Sequence, residues 1–229
     1  MKVLRLIFLA ILLIAFAGLG TAVADTIAWT SWTAGTNGSS GTATGTLALP
    51  GGTVTVTYSG ELVGNQTNNS GFNYWSPAAT FNNQAPTTSD ILQIDGTDTT
   101  HTLTFSSPVT NLYMALLSLG QPGVGTTYTF DAPFTIVSQG PSTTYGGCNT
   151  CLTTSGNSLI GHEGDGLILF NGPITTLTWT GANPEFWNGF TVGAVDVASS
   201  SPVPEPTSLM LLGSGILGLG ARFRRRNSK

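Results

Sequence analysis

The sequence predicts an all-β fold, an antiparallel two-sheet sandwich that winds like a jelly roll. A signal-peptide helix precedes it and a single transmembrane helix follows. Three observations predict the sandwich. Short runs of β-branched and aromatic residues recur between Gly, Pro, Asn and Ser clusters across residues 25–197. Several of these runs alternate strictly, with threonine at the outward positions, as in a sheet wet on one face. Nothing between the two ends carries the 3.6-residue period of a long amphipathic helix.

Taken in order, residues 53–58 (Thr-Val-Thr-Val-Thr-Tyr) place Val54, Val56 and Tyr58 on one face and threonines on the other. Residues 101–105 repeat the pattern with Leu103 and Phe105. Further strands are expected over 109–119, 126–131, 134–138, 167–170, 173–180 and 186–197. The Gly-rich polar stretches 33–44, 64–72 and 140–157 are expected to be loops. No internal repeat of 20–50 residues is present. Residues 198–202 read as a linker between the sandwich and a C-terminal segment, 203–229.

Positive charge is confined to the ends. Lys2 and Arg5 lie at one terminus, and Arg222, Arg224, Arg225, Arg226 and Lys229 at the other. The segment between them carries Asp25, Glu61, Asp90, Asp95, Asp98, Asp131, Glu163, Asp165, Glu185 and Asp196 but no lysine or arginine. Nucleic acid is excluded as a partner, because phosphate contacts need cations. Charged residues are 8% of the chain, against ~25% in ordinary soluble domains, so Ser, Thr, Asn and Gly must keep it soluble.

The N-terminus has the three parts of a secretory signal: a basic start, an apolar run over 6–20, and small residues Ala22 and Ala24 before the cleavage point. Residues 1–24 are therefore a signal peptide for the Sec export machinery, and the mature chain starts at Asp25 in an oxidising compartment.

The C-terminus reads Val203-Pro204-Glu205-Pro206, then an apolar run over 207–221, then the arginines. Two prolines keep the entry extended. Fifteen residues at ~1.5 Å each span ~22 Å, short of a ~30 Å hydrocarbon core. Arginine snorkelling closes part of the gap, and Gly213, Gly215, Gly218 and Gly220 weaken the helix. A marginal span suits a transient anchor. With the arginines inside, the domain lies outside the cytoplasm.

These residues resemble the PEP-CTERM sorting signal. Val203, Pro204, Glu205 and Pro206 match its motif, residues 209–220 its Leu/Gly-rich membrane stretch, and Arg222, Arg224, Arg225 and Arg226 its basic end. The resemblance implies recognition by exosortase, an inner-membrane-anchored precursor, removal of the tail, and export to the cell surface or an exopolysaccharide matrix. The stretches 105–109 (Phe-Ser-Ser-Pro-Val) and 187–193 (Trp-Asn-Gly-Phe-Thr-Val-Gly) are also similar to segments of other PEP-CTERM surface proteins. Such proteins mostly lack an assigned activity.

Chemistry-bearing residues are sparse. Cys148 and Cys151 form the one cysteine pair; in an exported chain a structural disulfide is expected, with metal or redox work as alternatives. His162-Glu163-Gly-Asp165 is the densest ionisable cluster, either an acid/base or metal site or a solvated turn. Asp95-Gly-Thr-Asp98 reads as a hairpin turn or as a weak calcium loop. No nucleophile elbow and no phosphate loop with a lysine occurs. A glycosidase pair would have to come from Glu61, Glu163 and Glu185, and their spacing selects no pair.

Trp179 and Trp187 are expected in the core. Asn73, Tyr74 and Trp75, in a predicted loop, form a candidate glycan contact, because sugar rings stack on exposed aromatic faces while Asn binds their hydroxyls. The expectation is a non-catalytic exported surface or matrix protein, without a catalytic residue or metal centre; a close variant is a module that binds the exopolysaccharide around it. The alternatives are a secreted polysaccharide hydrolase or lyase, and a calcium-dependent adhesin. Convergence of two carboxyls beside exposed aromatic rings would favour the hydrolase.

Overall fold

In the computed structural model, residues 26–95 and 100–198 are described. The strands belong to one unit that ends at Val197; of the second unit, 198–229, only Ala198 is described. The expected signal-peptide and transmembrane helices lie outside the described residues.

Among the described residues the fold is all-β, with two antiparallel sheets. The nine-stranded sheet contains β2 (Ser31–Thr36), β3 (Gly38–Leu49), β4 (Gly52–Leu62), β7 (Thr100–Thr110), β9 (Thr126–Phe130), β11 (Leu152–Ser155), β12 (Ser158–Gly161), β14 (Ile174–Ala182) and β16 (Asp196–Val197). Its order is β11-β12-β9-β14-β7-β4-β3-β2, with β16 on β7. The seven-stranded sheet contains β1 (Ala28–Trp29), β5 (Gly64–Gln66), β6 (Ile91–Ile94), β8 (Leu112–Leu119), β10 (Phe134–Gln139), β13 (Gly164–Phe170) and β15 (Asn188–Ala194). It runs β10-β13-β8-β15-β6-β5, with β1 on β15.

The alternation does what the sequence predicts. On β4, Val54, Val56 and Tyr58 are buried and the intervening threonines exposed; on β7, Leu103 and Phe105 point inward. The inner faces of both sheets meet in one core, where Tyr58 and Trp179 of one sheet pack edge-on against Phe190 of the other at 5.6 and 5.4 Å. Ring pairs of this kind add about 0.5–1.5 kcal/mol beyond burial. A sandwich follows from that shared core.

Two expectations are corrected. Residues 33–44 are mostly strand, not loop: β2 and β3 pair from Ser31↔Thr46 to Thr36↔Thr42. Small inward residues, Gly41, Ala43 and Gly45, supply the buried face there, so the run lacks the usual apolar signal. The apolar run 109–119 is two strands in different sheets, broken at Asn111, whose left-handed backbone (φ 50°) carries the chain across.

His101, buried in the core, stacks on Trp179 at 5.1 Å and hydrogen-bonds Tyr58 Oη at 2.8 Å. Burial pushes its imidazole down to about 4, so it stays neutral. Asp90 is also buried and pins a loop to β2, accepting from Trp32 N (3.1 Å) and Asn69 N (2.7 Å).

Candidate functional site

A β-bulge creates the site. Between the pairs Gly164↔Leu119 and Gly166↔Leu116, two residues of β8, Leu117 and Ser118, face the single residue Asp165 of β13. Such an extra residue bends its strand and re-aims neighbouring side chains. Ser118 has φ 57° and Glu163, at the start of the same hairpin partner, has φ 63°. Elsewhere among the described residues, positive φ outside glycine falls on asparagine. Strained backbone of this kind costs on the order of 1 kcal/mol or more per residue and is a pointer to function.

Three carboxyls gather around the bulge. Asp165 is fully buried and accepts from Ser118 N (2.6 Å) and Ser142 N (3.2 Å). Burial pushes its carboxyl up to about 6, against the pull of those donors. Glu163 accepts from Ser118 Oγ. Glu185 accepts from Gly120 N (2.6 Å) and Asn188 Nδ2 (3.1 Å), and Tyr128 Oη donates to the amide oxygen of Asn188. Burial pushes Glu185 up to about 7, and the negative charge of Glu163 adds to the rise. Gly120 is required where it stands: φ is +79°, and a Cβ would lie 1.9 Å from Gly161 O.

Aromatic rings stand beside the carboxyls. Trp187 stacks on Tyr145 at 4.7 Å and 27°, and both lie against Tyr74 at 5.8 and 5.9 Å. Phe72 continues the group, edge-on to Tyr74 at 4.9 Å, and is 59% exposed. Phe186 is 94% exposed. Hydrogen bonds hold the contributing loops. Asp165 grips Ser142, Ser142 Oγ accepts from Tyr145 N at 3.1 Å, and Thr143 N donates to Ser76 O at 2.8 Å, beside Tyr74. The result is an open cleft of about 380 Å³ lined by Ser118, Tyr145, Glu163, Glu185, Phe186 and Trp187. Flat apolar rings with a few aimed polar groups are the makings of a ligand site.

The PEP-CTERM protein-sorting motif matches residues 202–226. The chain carries a PEP-CTERM sorting signal. That match covers the Pro-Glu-Pro sequence and the arginines through Arg226. It implies an exported, membrane-anchored precursor that exosortase sorts to the cell surface. No curated protein and no solved structure matches the chain.

In this PEP-CTERM protein the other expected site residues fall as follows. Trp75 does not offer a stacking face: it is 4% exposed, edge-on to Phe81 at 5.6 Å inside a second apolar cluster. Asn73 is exposed but turned to its own loop, its Oδ1 accepting from Trp75 N at 2.9 Å. Tyr74 joins the aromatic wall. Trp187, expected in the core, is half-buried and lines the cleft, whereas Trp179 is core.

Glu163 and Glu185 converge, and Glu61 does not. It sits at the end of β4 and receives Asp95 N at 3.0 and 3.3 Å. Cys148 and Cys151 are disulfide-bonded, with Cα atoms 5.1 Å apart. His162 is exposed. Among the described residues, no group of three or more His, Cys, Asp and Glu is placed to hold a metal. Asp98 of the expected calcium loop, Ala22, Ala24, Val203, Pro204, Glu205, Pro206, Arg222, Arg224, Arg225 and Arg226 lie outside the described residues.

Sequence reading singled out Glu163 and Asp165 but missed Ser118, Tyr145 and Phe186. The one available signal was Tyr145 next to Gly146-Gly147 in a polar loop, a large ring with no strand to bury it.

Proposed function

We propose that this is an exported surface or matrix protein, sorted by exosortase, whose jelly-roll-like sandwich binds exopolysaccharide without cleaving it. The supporting observation is the Tyr145–Trp187 stack beside exposed Phe186, at one mouth of the fold. Sugar rings present flat C–H faces to such a platform, and Ser118, Gln121 and Thr144 at the rim can meet hydroxyls. The non-catalytic part of the reading is supported by the work the carboxyls already do. Each holds a loop or bulge by accepting hydrogen bonds from it. From β6 to β16 each sheet is visited alternately, apart from the β11–β12 hairpin, which supports the jelly-roll reading.

Two measurements test it. The mature protein is followed in its host with and without exosortase; unchanged mass and location after deletion would sink the sorting reading. A glycan array with the mature protein, paired with a reducing-end assay on each glycan retained, should give binding without new reducing ends.

A second reading is a secreted polysaccharide hydrolase. Glu163 and Glu185 line one cleft, and a carboxyl held protonated near neutral pH is what a general acid requires. New reducing ends that disappear in Glu185→Gln would establish it in place of the first.

A further inference from the structure

The cleft has a charge character that narrows its ligand. Two carboxyls, Glu163 and Glu185, line it beside the aromatic stack, with Asp165 buried behind them. No lysine or arginine occurs anywhere in residues 26–198, so the described protein supplies no Lys or Arg countercharge to this group. Glu163 is half-exposed and adds to the field that disfavours ionisation of Glu185. The ring faces of Tyr145 and Trp187 carry negative quadrupole charge, which also attracts cations. The ionisable groups and the ring faces of the cleft therefore share one sign.

Three kinds of glycan could meet such a surface. A uronate or sulfated chain brings anions to a cleft with no cation to receive them, so it is repelled. A neutral chain gains stacking alone. A chain bearing free amino groups gains stacking, an ammonium–carboxylate contact at Glu163, and attraction to the ring faces.

Resting on the reading of the cleft as a glycan site, we propose that it selects a polysaccharide with unacetylated amino sugars. The sugar face lies on the outer face of the Tyr145–Trp187 stack, and the ammonium is paired with Glu163. Selection is electrostatic complementarity laid over a stacking platform that is itself indifferent to charge.

The test titrates the mature protein, by calorimetry, with three oligosaccharides of equal length: glucosamine hexamer, its fully N-acetylated counterpart, and hexagalacturonate. The glucosamine hexamer is expected to bind about tenfold tighter than the acetylated one at low salt, an advantage that shrinks as salt screens it. Hexagalacturonate should not bind. Glu163→Gln should erase the preference for the free-amine hexamer. Trp187→Ala should abolish binding of both, with circular dichroism checking that the fold persists. Asp131→Asn, an exposed carboxylate on another part of the sandwich, removes the same charge elsewhere and should leave the preference intact.

Equal binding of the acetylated and free-amine hexamers, or binding of hexagalacturonate, overturns the charge selection while keeping the glycan reading. Loss of preference in Asp131→Asn as large as in Glu163→Gln overturns it too, because the attraction then belongs to the whole acidic surface. Failure of all three sugars to bind overturns both readings.

Discussion

The β3–β4–β7 face and the β8–β13 bulge are built from opposite principles. On the first, register is unbroken from Gly41↔Gly60 to Leu49↔Gly52, and burial alternates residue by residue. Its stability is that of apolar area removed from water, and its outward positions are largely threonine. The second has a slipped register, two non-glycine residues in left-handed backbone, and three carboxyls that accept hydrogen bonds from the protein. It spends stability to fix side chains in place. Regularity marks the scaffold, and irregularity marks the place where the protein has something to hold.

The largest break in that comparison comes from the scaffold. Trp179 is 1% exposed and touches His101, Phe130 and Phe190. Trp179→Ala should cost about 3–5 kcal/mol, as large-to-small changes at a packed aromatic do. Urea unfolding measures it. A loss under 1 kcal/mol would mean that the core is not shared between the sheets as described.

How much of this could be read in the chain follows from the same contrast. Alternation is local, so Val54, Val56, Tyr58, Leu103 and Phe105 declared their face without any tertiary knowledge. It failed where the inward residues are small, at Gly41, Ala43 and Gly45, and where an apolar run changes sheet at Asn111. The cleft is non-local. Ser118, Ser142, Glu163 and Glu185 come from separate stretches that meet only through strand order β13-β8-β15. Composition likewise could not separate Trp75, which is buried, from Trp187, which lines the cleft, because both sit beside Asn and Gly-containing turns. The sorting tail is the reverse case. Its motif is linear, and so it was legible from the sequence alone.

A smaller effect comes from the bulge itself. Asp165→Ala leaves the amide of Ser118 without its buried acceptor, while that of Ser142 keeps the carbonyl of Gly146. An orphaned donor costs about 1–3 kcal/mol, and a loss in that range is expected, less whatever water recovers. The diagnostic readout is local. Hydrogen exchange should quicken at Ser118, Ser142 and Tyr145, while Val56 and Leu103 keep their protection relative to global stability. Uniform quickening across both regions would mean that the bulge and the scaffold are one cooperative unit.

The smallest effect distinguishes the regions by pH. Folding raises the carboxyl of Asp165 to about 6 and that of Glu185 to about 7, burial being the chief cause in both. Between the ordinary carboxylate range and those values, the folded chain holds more protons than the unfolded one. Stability is therefore full below about pH 4 and declines as pH rises through 6 to 7. The shifts set an upper bound of about 3 kcal/mol for each group, and solvent relaxation reduces the decline well below it. Repulsion among the carboxylates, with no cation between them, acts in the same direction. Glu185→Gln separates the two contributions, since glutamine keeps an oxygen for Gly120 N and Asn188 Nδ2 but cannot ionise. Melting temperature against pH should flatten between pH 5 and 8 in this variant, and less so in Asp131→Asn. Parallel curves for wild type and Glu185→Gln would assign the whole slope to the acidic surface and leave the cleft electrically unremarkable.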